Sequence, residues 1–416
     1  MDYSKFFSKF ANRRQENLIR TLTESFMLNP NCINLAGGMP NTATYPIKAI
    51  STTYKYDIPI NFNQQEVSTA LQYGASQGYK PFLEKWKEFQ KTWHTPRHNN
   101  WDVVFTCGTL DACSKIFEMM INENDPVMIQ VPLYTGVIGA LKPWLPEIIE
   151  IHQDADGIIP EEISAECEKR LKDGKPMPKL IYTNPTGANP TGTILSEERR
   201  VKVYELAQKY DFLIVEDDPY YFIQFTDKQP TSFISLDTDG RVIRMDSFSK
   251  IMSAGLRVGV VTAHRDIAVK LITHMGNSVM HPSSLSQMLL LKLFENWSPR
   301  KFEKHFKDVR KFYQDRRDIM LSLVEKHLKG LAEWYVPQGG FFFWIKVTVV
   351  DNMMDFVLNK CVPQGIFILP GNAFNYSAAK HDSYLRLSYS YSSPEEIDKA
   401  LSIVAKLIRE ESAKKK

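Results

Sequence analysis

The chain has 416 residues, of which 43% are hydrophobic and 24% are charged. These are ordinary values for a globular protein with a large core, and they exclude a disordered, collagen-like or low-complexity chain. The 51 lysine and arginine residues nearly balance the 48 aspartate and glutamate residues, so the formal charge is only +3. So small a charge on a large surface gives no reason to expect a nucleic acid or a membrane as a partner.

The five cysteines are widely spread and include no Cys-x-x-Cys pair, so we expect neither a disulfide framework nor a zinc ribbon, and no metal site. The apolar runs are broken by charge long before the roughly 18 residues of a membrane helix. The first twenty residues mix five basic with two acidic residues and contain no secretory apolar segment. We therefore expect a cytoplasmic protein, with the mitochondrial matrix as the alternative.

Short β-branched runs alternate with helical stretches from about residue 100 to 265, which is the pattern of a parallel sheet joined by crossover helices. One helix is expected to begin after Ser196, whose side chain can cap it, and to run to about Tyr210. The six predicted strands are Val103 to Thr106, Val127 to Val131, Leu180 to Thr183, Phe212 to Val215, Val242 to Met245 and Val258 to Thr262.

The last hundred residues follow a different pattern. A strand is predicted from Phe341 to Val347, and Ser393 opens a capping box that begins an amphipathic helix. A smaller α+β unit is therefore expected at the end of the chain. The predicted parts are an N-terminal segment at 1–40, a large domain at 41–305 and a small domain at 306–416.

Ligands of open parallel sheets bind beyond the carboxyl ends of the strands, so the residues that follow the predicted strands are the candidate site. Gly108 and Thr109 place a small residue and a hydroxyl at a helix N-terminus, which suits a phosphate. The next three strands are followed by Tyr134, by two copies of Asn-Pro-Thr-Gly at 184–187 and 189–192, and by Glu216-Asp217-Asp218-Pro219-Tyr220.

The residues after the fifth predicted strand indicate the chemistry. Lys250 follows two hydroxyls, Ser247 and Ser249, and Arg257 comes shortly after it. An amine in this place can form a Schiff base with an aldehyde, while the hydroxyls and the guanidinium can hold a phosphate.

These motifs resemble, in order and spacing, the fold-type I pyridoxal-phosphate aminotransferases, and more narrowly their kynurenine/α-aminoadipate aminotransferase branch. The resemblance runs from about residue 17 to 410 and implies pyridoxal 5'-phosphate as the cofactor. It also implies an α/β fold, with a large cofactor-binding domain whose mostly parallel sheet is flanked by helices, and a smaller α+β domain. The motifs that carry it are 34–40, 189–192, 216–222, 246–250, 255–259 and 369–374.

The resemblance implies three catalytic residues. Lys250 would bind the cofactor covalently and then move a proton on the substrate. Asp217 or its neighbour Asp218 would pair with the ring nitrogen, and the family pattern favours Asp217. Tyr220 would donate a hydrogen bond to the phenolic oxygen of the cofactor.

Further cofactor contacts follow from the same resemblance. Asn189 would also donate to the phenolic oxygen; the family spacing selects it over Asn184, although turn chemistry alone would also explain both copies of the tetrapeptide. Tyr134 would stack on the ring. Tyr73 would reach the cofactor of a neighbouring subunit, which implies a homodimer with shared sites. The phosphate would be held by Gly108, Thr109, the backbone of Leu110, Ser247, Ser249 and Arg257.

The substrate contacts are also implied by the family positions. Arg386 would bind the α-carboxylate beside Asn189, because a bidentate cation fixes which bond at the α-carbon reacts. Gly38 and Phe342 would shape the pocket. Arg20 lies in the segment that covers the site in this branch, where it could meet a distal carboxylate or swing away for an aromatic side chain.

The expected activity is transfer of an amino group from an L-amino acid to a 2-oxo acid such as 2-oxoglutarate, in two half-reactions. The expected donors are kynurenine, 2-aminoadipate, and aromatic or large apolar amino acids. A lyase or decarboxylase on the same fold is the alternative, since fold and cofactor do not fix which bond breaks. A ligand-sensing regulator is disfavoured, because roughly forty residues ahead of the large domain leave no room for a DNA-binding module.

Overall fold

The structure is a computed structural model that describes residues 1–18, 22, 38–57, 59–377 and 382–414. Arg20, Cys32 and the sequence 34–37 lie outside the described residues. The strands found within them are β1 (Ser51–Thr52), β2 (Ile60–Asn61), β3 (Trp101–Thr106), β4 (Pro126–Val131), β5 (Glu147–Asp154), β6 (Gly157–Ile158), β7 (Leu180–Thr183), β8 (Leu213–Asp217), β9 (Val242–Ser247), β10 (Gly259–His264), β11 (Glu333–Trp334), β12 (Phe342–Lys346), β13 (Leu369–Pro370) and β14 (Tyr384–Ser388).

Helices connect most of these strands. In the described part of the chain, none of them is long and apolar enough to cross a membrane. The α-helices are α1 (Lys9–Arg13), α2 (Gln64–Leu71), α3 (Lys80–Trp93), α4 (Thr109–Met120), α5 (Thr135–Leu141), α6 (Pro160–Asp173), α7 (Glu197–Tyr210), α8 (Phe233–Leu236), α9 (Arg265–Gly276), α10 (Ser284–Asn296), α11 (Pro299–Leu328), α12 (Met353–Asp355) and α13 (Pro394–Lys414).

The large sheet has the strand order β3-β10-β9-β8-β7-β4-β5-β6. β4, β5, β7, β8 and β9 are mutually parallel, which confirms the mostly parallel sheet. β10 differs from the expectation, because it runs antiparallel to both β3 and β9. Residues 248–258 alone join β9 to β10, and this connection is too short for the crossover that a parallel pair needs.

Helices cover both faces of the large sheet. α4, α5 and α9 bury one face, in a core that includes side chains of β3, β4, β7, β8, β9 and β10. α6, α7 and α8 pack on the opposite face, against β4, β5, β7 and β8. Both faces of the central strands are therefore buried, which explains why they read as continuous apolar runs in the sequence.

The small sheet is antiparallel and has the order β11-β12-β14-β13. It packs against α11 and α13 through a separate core. The predicted strand at 341–347 is confirmed as β12. Ser393 and Glu396 exchange the two hydrogen bonds of the predicted capping box at the start of α13.

The helix predicted after Ser196 is confirmed as α7, which ends at Tyr210 as expected. Ser196 Oγ accepts a hydrogen bond from the Arg199 backbone N–H. The sequence analysis missed β5, because polar and charged residues interrupt this strand and leave no apolar run longer than Ile148-Ile149.

Two backbones meet where the chain enters the small sheet. A Cβ on Gly187, in the loop after β7, would lie 2.4 Å from the Gly340 backbone nitrogen. Gly340 also donates a hydrogen bond to the Ile223 carbonyl at 2.9 Å. The φ of +60° at Gly187 and of +73° at Gly340 is the left-handed backbone that glycine adopts most easily.

The first residues of the chain are part of the large unit. Tyr3 donates a hydrogen bond to the Gly240 carbonyl at 2.9 Å, and its ring stacks on His264 at 4.4 Å. Ser8 binds the end of α4 through its backbone and its hydroxyl. Phe6 is only 3% exposed.

Replacement of Phe6 by alanine tests this packing. We expect Phe6→Ala to lower the free energy of unfolding by about 3 kcal/mol, because it leaves a cavity in the core. Phe10→Ala, on the same segment but 37% exposed, is the matched control and should cost less. The measurement is the guanidinium midpoint of each variant; equal losses for the two would show that the segment is not anchored by Phe6.

Candidate active site

The carboxyl ends of β3, β4, β7, β8 and β9 lie at one edge of the large sheet, since these strands run in the same direction. Arg257 comes to this edge because it precedes β10, whose first residue pairs with Thr106 and Ser247. The structure thus gathers at one edge the junctions that the sequence analysis singled out.

Asp217 faces the α4 side of the sheet. Leu213 and Val215 point into the core that contains Tyr182, whereas Ile214 points into the opposite core. Asp217 continues the first set, because strand residues alternate between faces. Its Oδ2 accepts a hydrogen bond from the Tyr182 hydroxyl at 2.6 Å, and its buried Oδ1 has no hydrogen-bond partner among the described residues.

Burial raises the pKa of Asp217 to about 7, and the Tyr182 hydrogen bond opposes this shift. The carboxyl is therefore close to half-ionised near neutral pH, and a cation beside Oδ1 would favour its charged form. The negative charge of Asp217 also acts on the Lys250 amine and on the Tyr134 hydroxyl. Its own contribution to the pKa of each group is to raise it.

Asp218 points to the other face of the sheet. Its Oδ2 lies 3.1 Å from Nη1 of Arg244, and both side chains are fully buried. Asp218 Oδ1 also lacks a hydrogen-bond partner among the described residues, but the guanidinium neutralises this carboxylate. The structure therefore separates the two aspartates that the sequence left as alternatives.

Lys250 follows β9 and lies between two aromatic rings. Its Nζ is 5.8 Å from the ring centroid of Tyr220 and 5.5 Å from that of Phe341. Burial lowers the pKa of this amine, and the positive charges of Arg257 and Arg386 lower it further. A neutral amine, which is the nucleophilic form, is thus more available here than on an open surface.

The hydroxyls and the guanidinium predicted to hold a phosphate lie together. Arg257 Nη1 donates to Ser249 Oγ at 3.3 Å, and the Ser249 backbone N–H donates to Ser247 Oγ at 3.2 Å. Gly108 caps the N-terminus of α4, and Thr109 is the first residue of this helix. The N-terminus of a helix and an arginine on one side form a favourable anion site.

Asn189 and Arg386 connect the two sheets. Arg386, on β14, donates from Nη1 to the Asn189 side-chain oxygen at 2.8 Å. Its guanidinium lies over the rings of Phe342 at 4.0 Å and Phe374 at 5.0 Å. Burial lowers the pKa of Arg386.

The two copies of the tetrapeptide differ in what they contact. The Asn184 amide donates to the Asp217 carbonyl at 2.6 Å, and its oxygen accepts from the Asn189 backbone N–H at 2.8 Å. The Asn184 side chain thus joins two strand ends, whereas the Asn189 side chain contacts Arg386.

The remaining candidates lie at different distances from this group. Tyr134 is half-buried at the start of α5, and Leu110 is 42% exposed on the first turn of α4. Tyr73 is 46% exposed and its ring meets His281 edge-on at 6.1 Å. Gly38 is exposed, with no atom within 4 Å of the position of a Cβ, so the structure does not bring it to the group.

Two contacts of the site were missed by the sequence analysis. Tyr182 was treated only as part of an apolar strand, although its position two residues after Leu180 places it on the face of Asp217. Arg244 was likewise included in a predicted strand without a role. The alternation of strand residues could have identified both, once the two neighbouring strands were aligned.

Comparison with known proteins identifies the family. Residues 30–404 match the family described as aminotransferase class I and II. The chain belongs to this family. The aminotransferase is 38% identical over 423 residues to the mitochondrial kynurenine/alpha-aminoadipate aminotransferase of Bos taurus, with 99% of this chain and 100% of that protein covered.

Solved structures agree with this assignment. A kynurenine aminotransferase of Pyrococcus horikoshii, solved as a crystal structure in complex with PMP, is 28% identical in sequence to this chain. The two structures have a TM-score of 0.78, with 99% of this chain and 98% of the Pyrococcus chain covered. The aminotransferase Aro8 of Candida albicans, 24% identical with a TM-score of 0.87 over 99% of both chains, shares the fold. The fold-type I architecture is thereby confirmed.

The aminotransferase uses pyridoxal 5'-phosphate, as the family and its cofactor-bound structures indicate. The residues at the sheet edge fit this group. They offer an amine with a lowered pKa for the aldehyde, hydroxyls with an arginine for the phosphate, and, for the ring nitrogen, a buried carboxylate oxygen that has no partner within the described ranges. Amino-group transfer is therefore favoured over a lyase reaction.

Gly108→Ala tests the anion site. A Cβ at this position would lie 2.5 Å from Nη2 of Arg257, and the φ of +92° is unfavourable for alanine. We expect at least about tenfold weaker pyridoxal phosphate binding, because Arg257 must move and lose charge-assisted hydrogen bonds. Gly139→Ala, which has open space around its Cβ, is the control. Equal dissociation constants for both variants and the parent protein would contradict the assignment.

Proposed function

We propose that the chain transfers the amino group of an L-amino acid to a 2-oxo acid such as 2-oxoglutarate, with kynurenine, 2-aminoadipate and aromatic or large apolar amino acids as donors. The relatives named for kynurenine and aminoadipate, which align over the full chain, support this choice of donors. One observation carries the proposal: the Lys250 amine lies among buried aromatic rings, where both the Asp217 carboxylate and the Arg386 guanidinium act on its charge.

Pyridoxal phosphate supplies, when bound, an aldehyde for the amino group and a ring that withdraws electrons from the substrate α-carbon. Asp217 would keep the ring nitrogen protonated through its partnerless Oδ1. Lys250 would hold the aldehyde covalently in the resting enzyme. Once displaced by the substrate amine, Lys250 Nζ would remove the proton from the α-carbon, for which a lowered pKa suits it.

The other site residues would orient the cofactor and the substrate. Tyr220 and Asn189 would donate hydrogen bonds to the phenolic oxygen, and Tyr134 would stack on the ring. Arg386 would bind the substrate α-carboxylate in a bidentate manner, with its plane fixed between Phe342 and Phe374. The phosphate would be held by Gly108, Thr109, the Leu110 backbone, Ser247, Ser249 and Arg257.

The domain division and the roles of Gly38 and Arg20, which the sequence predicted, are also proposals. The proposed division is an N-terminal segment 1–40, a large domain 41–305 and a small domain 306–416. The separate core of the small sheet supports the small domain, whereas Tyr3 and Phe6 pack in the core of the large sheet. At its family position Gly38 would shape the substrate pocket, although no atom of the described residues lies within 4 Å of the position of a Cβ there. Arg20, which lies outside the described residues, would meet a distal carboxylate of the substrate or swing away for an aromatic side chain.

We propose a cytoplasmic enzyme, and the mitochondrial bovine relative makes the matrix the alternative. In either compartment the packed segment around Tyr3, Phe6 and Ser8 would be retained in the working protein. Imaging of the protein fused at its C-terminus to a fluorescent label distinguishes the compartments, and mass analysis of its N-terminus tests whether this segment is retained.

Titration of the purified holoenzyme with single amino acids tests the activity. We expect the visible cofactor band to convert to that of the amine form and to return when 2-oxoglutarate is added. Lys250→Ala should retain part of the cofactor but lose turnover by about a thousandfold or more. Loss of the band with release of gas or ammonia, and without recovery, would instead support the lyase.

We also propose that the enzyme is a homodimer in which Tyr73 reaches the cofactor of the neighbouring subunit. Its support is the exposure of this tyrosine in the single chain and the implied family position. Tyr73→Ala and Lys250→Ala subunits, unfolded and refolded together, should then form hybrids with one intact site. Activity above that of either parent variant is expected, and no gain on mixing would mean that the sites are not shared.

A further inference from the structure

A cluster of charged side chains lies directly behind Asp217, on the opposite face of the large sheet. Arg244 Nη2 lies 2.8 Å from Asp246 Oδ1, and its Nη1 lies 3.1 Å from both Glu216 and Asp218. The exposure of all four side chains is 7% or less. The register explains this placement, because Glu216 on β8 pairs with Arg244 on β9 while Asp217 pairs with Met245.

The negative charge of the cluster exceeds its positive charge. Three carboxylates face Arg244, and the second guanidinium, that of Arg200, lies farther away at 3.9 Å from Glu216. His94 adds no charge, because burial holds its pKa well below the usual value, although its Nε2 lies 4.0 Å from Asp246. Arg244 is therefore the main source of positive charge for the whole cluster.

The cluster acts on Asp217 through the sheet. Asp218 and Asp246 raise the pKa of Asp217, whereas Arg244 lowers it. Burial also raises the pKa of Asp246 to about 6, so this carboxyl is close to half-ionised about one pH unit below neutral pH. Titratable groups also face Asp217 from the other elements packed around it: Tyr182 on β7, Cys113 on α4, and Tyr134, Tyr220 and Lys250 in the strand-end loops.

We propose that Arg244 is a positioning residue for the cofactor: by neutralising Asp218 and Asp246 behind the sheet, it keeps Asp217 ionised for a protonated ring nitrogen. This inference rests on the proposed role of Asp217. It assigns two carboxylates of the cluster, Asp218 and Asp246, a second effect, because the charge of each makes Asp217 harder to ionise.

The test is the pH dependence of the pyridoxal phosphate dissociation constant, measured by equilibrium dialysis. Affinity should fall with decreasing pH as Asp217 takes up a proton. Arg244→Gln should move the midpoint of this fall upward by about one pH unit, because the carboxylates are then uncompensated. Asp218→Asn and Asp246→Asn should each move it downward, since one like charge is removed.

The double variant Arg244→Gln/Asp246→Asn should return the midpoint toward that of the parent protein, which loss of packing alone would not do. Arg241→Gln is the matched control. Arg241 is also buried, precedes β9 and pairs with Asp239 at 2.6 Å, so its loss should lower stability without moving the midpoint.

The outcomes separate the two proposals. If Asp217→Asn leaves the pH dependence of cofactor binding unchanged, the proposed role of Asp217 is wrong. The second outcome is that Asp217→Asn abolishes the pH dependence of cofactor binding while Asp218→Asn and Asp246→Asn leave its midpoint unchanged. In that case the inference about Arg244 is wrong and the role of Asp217 stands. These two isosteric variants decide the matter even if Arg244→Gln fails to fold.

Discussion

The proposed site depends on the buried carboxylate of Asp217, whose pKa is raised by its burial. A charged group in an apolar place is costly unless it is paired, and Asp217 has only the Tyr182 hydroxyl as a hydrogen-bond partner among the described residues. Under the proposed role of Asp217, a protonated ring nitrogen would supply a charged partner for its Oδ1. Binding of such a ring would stabilise the folded protein, since a ligand that binds only the native state shifts the folding equilibrium.

The two-residue alternation of the strands gives neighbouring acids different properties. Asp217 and Asp218 are adjacent in sequence but lie on opposite faces of one buried strand, so one faces Lys250 and the other Arg244. The same alternation places Ser247 with Asp217 and Asp246 with Asp218. A single pair of strands thus builds the proposed catalytic face and, behind it, the charges that set its ionisation.

The sequence predicted the residues of this edge better than their surroundings. Lys250 after two hydroxyls and Arg386 in its motif could be recognised, because local spacing and family resemblance both point to them. The choice between Asp217 and Asp218 needed the register of β7 against β8, which a single sequence does not contain. The packing of Phe6 was not predicted either, since an apolar residue near a terminus gives no sign of the distant core that buries it.

The meeting of Gly187 and Gly340 limits how this enzyme can vary. A side chain at Gly187 would force the loop that carries Asn189 away from the backbone at Gly340, which leads into β12. Asn189 would then be displaced relative to its partner, Arg386 on β14. Efforts to redesign substrate preference are thus best directed to positions farther along the small sheet. Glycine at both positions lets the two backbones stay in contact, and this contact keeps Asn189 next to Arg386, the proposed binder of the substrate carboxylate.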